Sequence, residues 1–96
     1  MTSRLDVTAA YRAYGDMVLR RCQKLLRDDS DAENARQEIF LQLHRSRQRY
    51  RGDVLSSSAL NRLITTHCMA MLQARQRRLE AATKALEHTC EAAYLR

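Results

Sequence analysis

The chain contains no proline and no tryptophan, and glycine occurs only at Gly15 and Gly52. Nothing fixes φ or removes a backbone donor, so long helices meet few breakers. Strand formers such as Val, Ile and Tyr are few and never alternate over a run, which argues against a half-buried sheet. Ala, Leu and Arg dominate instead, and all of them favour helix, as do the Gln and Glu residues among them. Cysteine is limited to Cys22, Cys68 and Cys90, with no CxxC pair. An odd, scattered set excludes a disulfide framework and predicts buried free thiols in a reducing compartment. No apolar run approaches the length of a membrane span, and the N-terminus has no apolar signal core. A cytoplasmic protein without membrane contact is expected.

What is present is a basic helical chain. Its 96 residues can close a single core with little surplus stability. The net charge of +6 and isoelectric point near 9.8 favour a polyanionic partner, nucleic acid ahead of a membrane surface. A merely basic surface is the competing reading of the same numbers.

Four segments follow from periodicity. Capped by Thr8 or Asp6, a first helix runs to about Leu26, with Ala10, Tyr11, Tyr14, Met17, Val18, Cys22, Leu25 and Leu26 near 3.6 spacing. Gly15 weakens its middle and suggests a bend or a close helix contact there. Ser30 to Arg47 forms the second helix, with Ser30 as cap and Glu33 completing a capping box. Its stripe is Ala35, Ile39, Phe40 and Leu43, widened by Leu41. An irregular stretch, RSRQRYRGDVLSSS, leads to a third helix capped within Ser56 to Ser58 and carrying Leu60, Leu63, Ile64, Cys68, Met71 and Leu72 on one side. From Leu79 a further amphipathic stretch either continues the third helix or turns back onto the bundle, and the second is the expectation. The fold class is therefore all-α: a small three-helix bundle over residues 1–78, with an additional or extended C-terminal amphipathic helix over 79–96. That tail is also a candidate for self-association through Leu79, Leu86 and Ala93.

Catalytic chemistry is not signalled. There is no Gly-rich phosphate loop, nucleophile elbow or pair of catalytic carboxylates. His44, His67 and His88 do not combine with the cysteines at metal-ligand spacing. Neither an enzyme, nor a cofactor, nor a metal is expected. Arg45, Arg47, Arg49 and Arg51 surround Tyr50 with no acid until Asp53. That is a fair footprint for single-stranded nucleic acid, with a solvated loop rim, the usual fate of a charge run, as the competing reading. Arg75, Arg77 and Arg78 fit either phosphate contact or a helix C-terminus.

The order of these parts is distinctive. A first helix with paired tyrosines leads through a short acidic turn to DAENARQEIFLQLHR, a basic YRGD loop and a helix ending in arginines. From about Tyr11 to Arg78 this resembles region 2 of extracytoplasmic-function (ECF) sigma factors, most sharply over Asp31 to Leu43. The resemblance implies a sigma region 2 fold that docks on the clamp helices of the β′ subunit of RNA polymerase. The matching docking positions are Asp31, Glu33, Gln37 and Glu38, with Phe40 as a core anchor. It also implies capture of a flipped base of the promoter −10 element. The matching loop positions are Tyr50, Arg51, Gly52 and Asp53, with Arg49 beside them in the basic series. Phosphate contacts match Arg62, Arg75, Arg77 and Arg78.

Several positions depart from the family pattern. Ser56 and Ala59 stand where the third helix usually begins with a large apolar residue and a tryptophan. His44 replaces a tryptophan, and Thr66 and Ala70 replace an asparagine and an aspartate. The residues after Arg78 are too few for the region 4 domain that reads the −35 element. These departures support an alternative: a sigma-like regulatory protein that binds polymerase or an anti-sigma factor without opening DNA.

Overall fold

The computed structural model describes residues 5–50 and 56–94. Its elements are α1 (Val7–Leu26), α2 (Asp29–Arg45), a 3₁₀ turn (Arg47–Tyr50) and α3 (Ser57–Tyr94). No strand occurs among the described residues, and the chain is an all-α three-helix bundle with an extended C-terminal helix.

Each helix begins where a short polar side chain replaces missing backbone partners. The Asp6 carboxylate accepts the Ala9 N–H at 3.1 Å, settling the first cap in favour of Asp6 over Thr8. The second helix starts earlier than expected, because Asp28 rather than Ser30 is the cap. Asp28 is extended, and its side chain accepts the Asp31 N–H at 2.8 Å. Ser30 is thereby drawn into the first turn, and Glu33 turns to Arg36 at 2.7 Å instead of closing a capping box. This helix ends at Arg45, and Arg47 already belongs to the 3₁₀ turn. Ser56 caps α3 through its hydroxyl, which accepts the Ala59 N–H at 3.1 Å.

The core draws on all three helices. Ala10, Val18, Cys22 and Leu26 come from α1, and Ala32, Ala35, Ile39, Phe40 and Leu43 from α2. Leu60, Ile64 and Cys68 from α3 complete it. Most members of each set recur at three- or four-residue steps or their multiples, the mark of one buried stripe. Gly15 is buried, but a Cβ there would meet only the Tyr11 ring at 3.7 Å, an ordinary contact, so no close helix approach requires glycine. Tyr11 and Leu25, expected in the stripe, sit at its edges and are 42% and 39% exposed.

The tail does not fold back. α3 runs unbroken for 38 residues, about 57 Å at 1.5 Å per residue, within a molecule 74 Å long. Every residue from Gln76 to Glu91 is exposed, including Leu79 and Leu86 at 57% and 66%. The physical reason is composition. No glycine or proline interrupts Ser57 to Tyr94, good helix formers fill the tail, and Gln76 donates a side-chain hydrogen bond to Glu80 at 3.2 Å. No helix among the described residues is long and apolar enough to cross a membrane.

Candidate functional site

Charge is distributed unevenly among the helices. Asp28, Asp29 and Asp31 gather at the entry to α2, and Glu33 and Glu38 follow along it. Acidic side chains there complement the positive end of the helix dipole. By contrast α1 has no acid from Met17 to Leu26, and α3 has none before Glu80.

On the acidic side, Gln37 and Glu38 are exposed, while Asp31 and Glu33 are half-buried. Gln37 lines a groove between α1 and α2 with Val7, Thr8, Tyr11, Phe40, Leu41 and His44. Phe40 is 5% exposed and lies in the core. Its ring meets Tyr11 edge-on with centroids 4.9 Å apart, and the Arg36 guanidinium lies 5.4 Å from the Tyr11 centroid. Tyr11 and Leu41 thus line the groove, a role that sequence reading missed. Tyr11 and Leu41 both sit at the margin of an apolar stripe, which was the available signal.

On the basic side, Arg45, Ser46, Arg47, Gln48 and Arg49 line a shallow pocket around the 3₁₀ turn. Arg47 donates to the His44 carbonyl at 2.8 Å, and the Arg49 N–H donates to the Ser46 carbonyl at 2.9 Å. These bonds fix the turn and leave the Arg49 side chain exposed. Tyr50 ends the turn; its side chain, and all of Arg51, Gly52 and Asp53, lie outside the described residues. Arg62 is exposed near the start of α3, and Arg77 and Arg78 are exposed beyond the bundle. Thirteen residues of helix separate Arg62 from Arg75, about 20 Å. The arginines of α3 therefore form a track rather than one pocket.

Arg75 differs from the others. It donates to the Leu26 carbonyl at 3.2 Å and pairs with the Asp31 carboxylate. Two residues matched to separate external partners are in contact with each other. Their pairing closes the corner between α1 and α2.

The thiols fall into two groups. Cys22 and Cys68 are buried with their sulfurs 3.7 Å apart, whereas Cys90 is exposed on the tail. The expectation of buried thiols fails at Cys90 because the tail lies off the core. Burial, reinforced by Cys68, pushes the Cys22 thiol up to about 12, and burial raises Cys68 as well. Both are thus held in the unreactive thiol form. Among the described residues no three His, Cys, Asp or Glu side chains converge as a metal site.

The described residues thus form an all-helical bundle with an acidic second helix, a basic turn after it and an arginine-bearing third helix. The family model for Sigma-70 region 2 matches residues 10–79, and the chain belongs to that family. The match ends at Leu79, close to where α3 leaves the core. No curated protein and no solved structure matches the chain. Membership supports a sigma-factor-like role, in RNA polymerase binding and −10 promoter recognition.

Proposed function

We propose that this chain is an ECF-type sigma region 2 module acting in the cytoplasm at transcription initiation. In this reading the exposed face of α2 meets the β′ clamp helices through Gln37 and Glu38, with Glu33 and Asp31 at its rim. The basic end receives the −10 strand: Tyr50, Arg51, Gly52 and Asp53 hold a flipped base, and Arg49 and Arg62 contact phosphates. Arg77 and Arg78 extend the phosphate track, and Arg75 holds the corner against which α2 is set. The family match over residues 10–79 carries this reading, and the separation of acidic α2 from basic α1 and α3 supports it. An acidic face suits a basic protein partner, and a basic track suits a phosphodiester strand.

A second reading has its own observation. Ser56, at a family position for a large apolar residue, is a helix cap whose hydroxyl is engaged by Ala59. Stacking on an aromatic platform is worth about 1–3 kcal/mol per base, and Ser56 and Ala59 supply none. A module so altered would bind polymerase or an anti-sigma factor and regulate without opening DNA. Binding of the purified chain to single-stranded −10 and scrambled oligonucleotides across a salt series separates the two. Selectivity for the −10 sequence supports the first; binding that is absent or purely salt-driven supports the second.

A further inference from the structure

The proposed nucleic-acid positions lie on the loop after α2 and on α3. A second basic surface remains on α1. Arg21 and Lys24 open onto a groove whose other walls are Leu25, Ile64 and Thr65. Arg21 and Lys24 are three residues apart and so share one edge of α1. Both are exposed, as is Thr65 across the groove. Arg62 lies one turn before Thr65 on α3 and is also exposed. Neither wall contributes an acid, since α1 is free of them from Met17 to Leu26 and α3 up to Glu80.

We propose that this groove is a phosphodiester-binding site, and that a single nucleic-acid strand crosses from Arg62 on α3 to Arg21 and Lys24 on α1. The inference rests on the nucleic-acid reading above and adds to it a path over α1. Each part of the groove has a use in that role. The two cations neutralise successive phosphates, and the Thr65 hydroxyl donates a hydrogen bond to one of them. The exposed flank of Leu25, 39% accessible, offers an apolar surface to a sugar or base face. Fixed positive charge in an acid-free groove raises the local concentration of a polyanion, and this attraction weakens with salt.

The test is the salt dependence of binding of a fluorescein-labelled single-stranded −10 oligonucleotide to the full chain. Each phosphate contact contributes about 0.7 to the slope of log K against log salt for a single strand, so Arg21→Gln with Lys24→Gln lowers the slope by about 1.4. Exchanging the cations, Arg21→Lys with Lys24→Arg, retains it. Arg12 lies on the opposite side of α1 from Arg21 at 100° per residue, and Arg12→Gln with Lys84→Gln removes the same charge far from the groove and leaves the slope unchanged. All these positions are exposed, and helicity by circular dichroism checks that each variant is folded. If Arg62→Gln lowers the slope and the Arg21/Lys24 pair does not, the path over α1 is overturned and the nucleic-acid reading stands. An equal effect from the Arg12/Lys84 pair also overturns it, since net charge alone then accounts for the loss. A wild-type chain that binds no oligonucleotide at low salt overturns both.

Discussion

Arg75 pairs with Asp31 across 44 residues of sequence. The same guanidinium donates to the Leu26 carbonyl, one of the last carbonyls of α1, which has no partner within its own helix. One side chain of α3 therefore answers both the free C-terminal carbonyl of α1 and an acid in the first turn of α2. It does so at the level where α3 leaves the bundle. Arg75 lies in the hydrogen-bonded frame of the domain, with part of its donor capacity already used.

The pair predicts a measurable coupling. Both side chains remain about one-third exposed, so a double-mutant cycle of Asp31→Ala and Arg75→Ala in urea should give about 0.5–1 kcal/mol. Arg75→Ala alone should cost more than Asp31→Ala, because it also strips the Leu26 carbonyl of its donor. Arg75→Lys should not rescue stability, since an ammonium cannot reproduce the fork that reaches two acceptors. Equal costs for the two alanine variants would contradict this account of the corner.

Gly15→Ala should stabilise the domain. The added methyl would meet the Tyr11 ring at 3.7 Å without forcing it aside, and alanine is favoured over glycine in a helix interior by about 1 kcal/mol. A rise in the urea midpoint with unchanged slope checks this; a fall would reveal a clash.

Arg27 is the one non-glycine residue with positive φ among those described, at 55°. It ends α1 in the left-handed conformation, its N–H donating to the Gln23 carbonyl at 2.9 Å. An L side chain is strained there by about 1–2 kcal/mol, and glycine is not. Arg27→Gly should therefore raise the melting temperature, and a lowered one would show that the Arg27 side chain contributes more than its backbone costs.

How much of this is legible in the sequence follows from such details. The helices and most of the core were, because buried residues repeat at helical spacing whatever the tertiary contacts. Asp6 and Ser56 were named among the candidate caps, but at the second helix Asp28, Asp29 and Ser30 stand in succession and only backbone geometry decides among them. The Arg75–Asp31 pair was invisible, since sequence does not say which of three clustered arginines turns inward. The tail was misjudged because its apolar stripe suggests packing, while its unbroken helix formers keep it straight. For Arg51, Gly52 and Asp53, the reading stands on the resemblance alone.

The thiols give a pH prediction. The folded state holds Cys22 protonated up to about 12, against an ordinary value of 9.0. A raised folded value means the contribution to stability is complete below pH 9 and is lost as pH climbs toward 12. The loss approaches about 1.4 kcal/mol per pH unit. Cys22→Ala should be less stable at neutral pH but show a flatter fall between those limits. In the native protein an aromatic disulfide reagent should label Cys90 at once, and Cys22 and Cys68 only on unfolding. Prompt labelling of all three would contradict the buried pair.

The central claim is that the acidic face of α2 docks on RNA polymerase, and its most direct measurement is the affinity of the chain for polymerase core. Glu38 is exposed, so Glu38→Arg should leave helicity and melting unchanged while reversing a charge on the docking face. The account predicts micromolar or tighter binding by the wild-type chain, weakened at least tenfold by Glu38→Arg, a loss of about 1.4 kcal/mol. Equal binding by the two proteins, or no binding by either, would contradict it.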